Sequence, residues 1–366
     1  MTCAPRSQHN PKYCRMATAN QATVSPGRAP KAALLMRVAR TKAFRWLIVR
    51  MIVPVLDILL APLVVACALL MKSIRRVGVY RMTLSRSIFF RVGVFPIRDH
   101  YYEPLFNPAR LRRPLDQDRA LPGIDFNVEE QLEWLRKFTF AGELVRFPVT
   151  AVGAHQYQYD NPNFSRGDAE YFYSLIRLVK PRRIVEVGSG FSTLVAREAI
   201  TANLMENEAY RCRHVCIEPY EMAWLEELGG VEIVRGVVEE MDRSRFASLE
   251  ADDMLFIDSS HMIRPQGDVV CEHLEILPTL KRGVFVHVHD IFTPRDYPAL
   301  WVKDQVRFWN EQYLVQAFLS GNRDFKIVGA LNFLKHHHAD EIKASFPVLA
   351  AEFDACEPAS LWIVRR

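Results

Sequence analysis

Acidic side chains are nearly missing from the first hundred residues of this 366-residue chain. Asp57 and Asp99 stand there against 17 lysines and arginines, whereas the remaining 266 residues carry 30 basic and 40 acidic side chains. The formal charge of +5 therefore conceals a basic leading segment and an acidic remainder, two objects with different partners. Paired cysteines are lacking too: Cys3, Cys14, Cys67, Cys212, Cys216, Cys271 and Cys356 are odd in number, scattered, and never spaced Cys-x-x-Cys. That argues against a disulfide framework or a zinc site and suits a reducing compartment, with Cys212 and Cys216 read as small packing residues.

Charge is missing from one further place. Residues 51–71, between Arg50 and Lys72, contain a single charged side chain, Asp57. About 20 apolar residues suffice to cross a bilayer as a helix. The run begins too far along the chain for an ordinary signal peptide, although Val64-x-Ala66 and Ala66-x-Ala68 leave a cleavable reading open. Six basic residues flank it on each side (31–50 and 72–91), so the positive-inside rule does not orient it. A spanning helix kinked at Pro54 or Pro62 and a re-entrant segment with both flanks on the cytoplasmic leaflet both satisfy the pattern. Residues 73–97 then interleave Arg75, Arg76, Arg81, Arg86 and Arg91 with Val77, Tyr80, Ile88, Phe89 and Phe90, a mixture suited to anionic membrane lipids. A nucleic-acid arm would also be basic but has no need of the adjoining apolar run, so nucleic acid is not expected. The organisation expected is a flexible basic tail (1–44), an apolar helix (45–72), a basic membrane-proximal segment and proline-rich connector (73–164), and a catalytic domain (165–366).

In that last region the run 184–193, Ile-Val-Glu-Val-Gly-Ser-Gly-Phe-Ser-Thr, reads as a strand, a glycine turn and a helix start. Gly188 and Gly190 can take positive φ, and Ser192 and Thr193 place hydroxyls where free helix N–H groups collect. A dinucleotide fingerprint wants a third Gly or Ala where Thr193 stands, and an acid sooner than Glu218, so a nicotinamide oxidoreductase is disfavoured. Strands near 183–188, 213–218, 231–236, 254–258 and 284–289 alternate with helices, which predicts an α/β, doubly wound, mostly parallel sheet. The helices include one opened by a Ser165-x-x-Asp168 capping box and stopped by Pro181, one over 268–280, and one over 303–319.

The order Glu186, Gly188-Ser189-Gly190, Glu218, Asp258-Ser259-Ser260-His261, His289-Asp290 resembles class I S-adenosylmethionine-dependent methyltransferases over residues 165–366, and within them the small-molecule and sugar O-methyltransferases. The resemblance implies a seven-stranded Rossmann-like sheet, closed by an antiparallel pair from the apolar runs at 325–333 and 361–364. It implies S-adenosylmethionine as cofactor, held by Glu186, Gly188, Ser189, Gly190, Ser192, Thr193, Glu218 and Asp258. His261, three residues after Asp258, is the expected general base, since an ordinary histidine pKa of about 6.5 suits proton removal near neutrality. Asp258, His289 and Asp290 are the expected ligands of a divalent ion, Mg²⁺ or Mn²⁺, the imidazole favouring the softer one.

The aromatic cluster Tyr157, Tyr159 and Phe164 is a candidate lid. Asp296-Tyr297-Pro298, Trp301 and Trp309 are a candidate acceptor lip, and His336-His337-His338 is read as a solvated loop. The function expected is O-methylation of a sugar, glycolipid, lipid-linked saccharide or phenolic small molecule at the membrane surface, with the catalytic domain cytoplasmic. The alternative is a membrane-tethered scaffold or cofactor sensor that keeps the fold and has lost catalysis.

Overall fold

The computed structural model of the protein describes residues 48–366, apart from 106, 154 and 221. The basic tail expected over 1–44 lies outside the described residues. The described residues as far as Arg98 form one compact unit, and Asp99–Arg366 form another.

In the first unit a π-helical turn, Ile48–Ile52, leads into helix α1, Val53–Val77, which continues without a break through Pro62. Pro54 sits in the first turn, where its missing N–H costs nothing. The 30 residues from Ile48 to Val77 are long and apolar enough to cross a membrane, reaching about 45 Å at 1.5 Å per residue. None of the α1 side chains is buried. Gly78, at φ +102°, ends it, and a short helix α2, Thr83–Val92, follows with Gly93 as a left-handed cap.

The second unit is built on seven strands: β1 Arg183–Val187, β2 Arg213–Ile217, β3 Glu232–Val234, β4 Met254–Ile257, β5 Phe285–Val288, β6 Phe325–Ala330 and β7 Leu361–Arg365. Their order is β3-β2-β1-β4-β5-β7-β6, parallel throughout except for β7, which runs antiparallel to both β5 and β6. This is the doubly wound, Rossmann-like sheet the sequence implies. Strands β4 and β5 are fully buried because helices cover both faces, which is why β4 reads as a continuous apolar run and β5 as one interrupted only by the buried His287. The chain reverses direction across the sheet between β1 and β4. Register pairs Val187 with Ile257 and Ile257 with Val288, so Gly188, Asp258 and His289 emerge side by side at this switch point.

Helix α3, Val128–Lys137, packs along β6, where Gln131 Oε1 accepts the Ala330 N–H at 2.7 Å, and the chain that follows it packs on helix α4, Asp168–Val179. Tyr159 Oη donates to Leu144 O at 3.1 Å, and Arg177 of α4 donates to both oxygens of Glu143. Helix α4 is therefore buried on nearly every face, not only on the Phe172, Leu175, Ile176 stripe. Its start differs from the expected capping box. Glu170 accepts the Gly167 N–H at 3.0 Å, while Asp168 is turned inward and accepts the Ala359 and Ser360 amides, tying α4 to the start of β7. Helix α5, Phe191–Glu206, follows β1.

Two further expectations are corrected. The single helix over 303–319 is a π turn, Leu300–Asp304, a non-helical stretch containing Val306 at φ +52°, and helix α6, Glu311–Leu319. The break lets Asn310 and Glu311 donate their N–H groups to His261 O, at 3.0 and 3.2 Å. The histidine triplet is not a loop: His336 and His337 end a helix, Leu331–His337, where they pair with Glu357 and Asp118.

Candidate active site

Gly188 is the one glycine of the β1 turn whose backbone demands it. Its φ is +78°, and a Cβ there would lie 1.8 Å from Asp258 O, so the β1 and β4 ends meet only because no side chain intervenes. Gly190, expected at positive φ as well, has φ 177°, which is ordinary extended backbone. Beneath the turn, Glu186 is fully buried. It accepts Thr193 Oγ1 at 2.7 Å and Ser192 Oγ at 3.2 Å on one oxygen, and lies 2.8 Å from His214 Nε2 on the other. Burial opposes a charge on His214, but neighbouring Cys216 and Glu186 raise its pKa to about 10. The Ser192 and Thr193 hydroxyls thus bind Glu186 and order the loop.

Above the turn lies a cavity of about 130 Å³ lined by Asn163, Phe164, Ser189, Glu218, Met222 and Asp258, among others. Glu218 is on its rim, accepting Ser189 N–H at 3.3 Å and Tyr220 N–H at 3.0 Å. Of the candidate lid aromatics only Phe164 reaches the cavity. Tyr157 and Tyr159 are core side chains whose hydroxyls are bonded to backbone carbonyls.

Beside the cavity, Asp258, His261 and Asp290 converge. His261 Nε2 is 3.3 Å from both Asp258 Oδ1 and Asp290 Oδ2, and its Nδ1 is 2.8 Å from Glu311 Oε2. His261 and Asp290 both sit at φ +58°, in the left-handed region, turning their side chains toward one another. Burial disfavours an imidazolium, yet hydrogen bonds donated to Asp258 and Glu311, with the charge of Asp290, hold the His261 pKa well above the ordinary value. Against the opposing effect of burial, His289 and His261 hold Asp258 below the usual carboxylate range, whereas burial pushes Asp290 up.

His289 does not join the convergence. It is buried against His287 and Phe164 with Nε2 3.2 Å from Asn163 O, and 3.7 Å from Asp290. The metal-capable trio is thus Asp258, His261 and Asp290, with His261 where the sequence suggested His289. Glu311 is a residue sequence reasoning missed. It is fully buried, and its position depends on the unforeseen break before α6. In the candidate lip, Trp309 packs on His261 with ring centres 4.4 Å apart and Trp301 packs on Trp309, while Tyr297 is buried and Asp296 pairs with Arg113 and Arg119.

A methyltransferase-domain family matches residues 185–291, from within β1 to just beyond β5. This stretch of the chain carries a methyltransferase domain. A protein of Archaeoglobus fulgidus, itself uncharacterised, is 30% identical over 171 residues, which are 43% of this chain and 74% of the relative. An O-methyltransferase from Bacillus cereus solved with S-adenosylhomocysteine is 13% identical with a TM-score of 0.33, covering 65% of this chain and 91% of that one. A TDP-rhamnose 3′-O-methyltransferase of calicheamicin biosynthesis is 16% identical with a TM-score of 0.35, over 68% and 99%. Neither structural likeness is close enough to give a side chain a role.

The methyltransferase's own residues fit its cofactor. Ser189 Oγ is buried in the cavity wall without a hydrogen-bond partner, a polar atom that a ligand would satisfy. A divalent ion also has a fitting donor set in two carboxylates and an imidazole, provided His261 gives up its proton.

Proposed function

We propose that this methyltransferase transfers a methyl group to a hydroxyl of a sugar, glycolipid or phenolic small molecule, and does so at a membrane surface. The observation that carries the reading is the placement of His261 Nε2 beside the Gly188–Asp258 cavity, with its other nitrogen held by buried Glu311 and its face covered by Trp309. When bound, S-adenosylmethionine supplies an electrophilic methyl group. Gly188, Ser189, Glu218 and Asp258 would hold it, and the Glu218 carboxylate suits ribose hydroxyls because it already accepts two hydrogen bonds at a strand end.

The chain's part in the chemistry is positioning and proton removal. Trp309, packed on His261, and Trp301 form an aromatic lip beside which an acceptor ring would settle with its hydroxyl near Nε2. As the O–CH₃ bond formed and the methyl–sulfur bond broke, leaving a neutral thioether, neutral His261 Nε2 would take the hydroxyl proton, and Glu311 would stabilise the resulting imidazolium. A metal held by Asp258, Asp290 and His261 would instead lower the acidity barrier by polarising the hydroxyl oxygen. Replacing His261 with Ala should cut methyl transfer roughly 10²- to 10⁴-fold at unchanged cofactor affinity. Undiminished transfer would remove the assignment.

The membrane part of the reading is supported by α1 and by the exposed Leu84, Ile88, Phe90 and Val92 interleaved with Arg86 and Arg91 on and around α2. The full chain should float with vesicles containing anionic phospholipid. Replacing Arg81, Arg86 and Arg91 with Gln should weaken its preference for anionic over neutral vesicles, and an unchanged preference would count against a lipid-facing α2.

A further inference from the structure

Arg307 sits on the acceptor side of the site and has no carboxylate partner among the described residues. Its neighbours in the same unit do: Arg113 and Arg119 hold Asp296, and Arg295 holds Asp118. The Arg307 guanidinium carbon lies instead 4.6 Å from the ring centre of Trp301 and 4.3 Å from that of Trp309. Trp309 in turn lies on His261, so the cation is one aromatic ring away from the expected base.

The chain is bent to put it there. Arg307 N–H donates to Trp301 O at 2.8 Å, closing a turn through Val306 at φ +52°. A β-branched residue in the left-handed region is a genuine outlier, and such strain persists where the surroundings impose it, commonly at ligand-binding sites. Contact with two indoles fixes the guanidinium plane while leaving N–H groups to bind a ligand, and its fork matches a carboxylate or phosphate. A buried cluster of acids at Asp258, Asp290 and Glu311 would by itself repel an anion, so a fixed external cation changes what can approach.

We infer that Arg307 is an acceptor-specificity residue that binds a carboxylate or phosphate substituent on the acceptor. The acceptor class is therefore an anionic sugar or phenol rather than a neutral one. This rests on the methyltransferase reading above and narrows it.

The test is a ligand-observed NMR titration of the full chain in detergent micelles, saturated with S-adenosylhomocysteine, using glucuronate, glucose 1-phosphate and neutral methyl glucoside as probes. The two anionic probes distinguish carboxylate from phosphate recognition. At least one of them should bind 10-fold or more tightly than methyl glucoside. R307Q should erase that preference, and R307K should restore part of it. Cofactor affinity, measured by calorimetry on the same samples, should be the same in all three proteins. Bound cofactor with no preference for either anionic probe, or a preference that survives R307Q, overturns the assignment of Arg307 alone. Failure of the wild-type chain to bind cofactor brings down the methyltransferase reading, and this inference with it.

Discussion

The Nδ1 of His261 lies 2.8 Å from Oε2 of Glu311, a fully buried carboxylate fifty residues further along the chain. The two are also joined through backbone, since Glu311 N–H donates to His261 O. One contact fixes the ring's charge and the other its place, which leaves Nε2 facing Asp258 and Asp290.

From this pair follows a pH profile. With its pKa held above the ordinary value, His261 keeps its proton to higher pH than a free imidazole, and only its neutral fraction can accept a proton. Methyl transfer should rise with pH through neutrality until it passes the raised value. Glu311→Gln removes a carboxylate that favours the charged form, so the rising limb should move to lower pH. The plateau kcat should fall by about 10-fold or more as the ring loses its anchor. An unshifted limb in steady-state profiles would show that Glu311 does not act through His261.

The same shift predicts a stability change of fixed sign. A histidine whose folded pKa is raised contributes stability that is fully present below its unfolded value, about 6.5, and is lost as pH rises through the folded value. Denaturant midpoints for the wild-type unit should fall on going from pH 6 to pH 9, and the fall should be smaller in His261→Gln. Equal falls in the two proteins would mean that His261 is not held as an imidazolium.

Gly188→Ala tests the contact between the β1 and β4 ends. The new Cβ meets Asp258 O at 1.8 Å and sits at φ +78°, so backbone must move. A loss of about 3 kcal/mol or more, roughly 6–12 °C in Tm, is expected together with loss of cofactor binding. Gly190→Ala, at φ 177° with only ordinary contact to Met222, should be far milder in Tm. Differential scanning calorimetry on both variants separates the two glycines, and similar losses would contradict the distinction.

If Asp258, Asp290 and His261 hold a divalent ion, that ion competes with the His261 proton. Thermal stabilisation by Mn²⁺ should therefore grow between pH 6 and pH 8 and vanish in Asp290→Asn. Full activity after exhaustive chelation, with no thermal shift at any pH, would leave the trio as an ion-paired base without a metal.

Much of this was legible in the sequence because it depends on local pattern. The apolar strand runs, each closed by a polar or glycine residue, placed Gly188, Glu218, Asp258 and Asp290 at strand C-terminal ends, where a doubly wound sheet forms its crevice. His289 leaves the strand end beside that crevice but does not join the convergent ligands, because successive residues leaving a strand point to opposite faces. It follows His287 onto the aromatic side, while Asp290 turns inward at positive φ. Glu311 was invisible for a different reason. Residues 303–319 carry a helical period, and nothing local announces that the helix must break so that Asn310 and Glu311 can cap the His261 loop. The lid expected of Tyr157 and Tyr159 rests on their place just before the first strand, where chains of the family they resemble often close over the cofactor, and that place does not tell a buried hydroxyl bonded to backbone from an exposed one.

The central claim is that the Gly188–Glu218–Asp258 crevice binds S-adenosylmethionine. The most direct test is calorimetric titration of the full chain in detergent micelles with S-adenosylmethionine, S-adenosylhomocysteine and NAD. Micromolar binding of the first two and none of NAD is predicted. Glu218→Ala should weaken that binding about 10-fold or more, as loss of hydrogen bonds to a charged group requires. A folded chain that binds neither sulfur compound, or binds them equally well without Glu218, would contradict it.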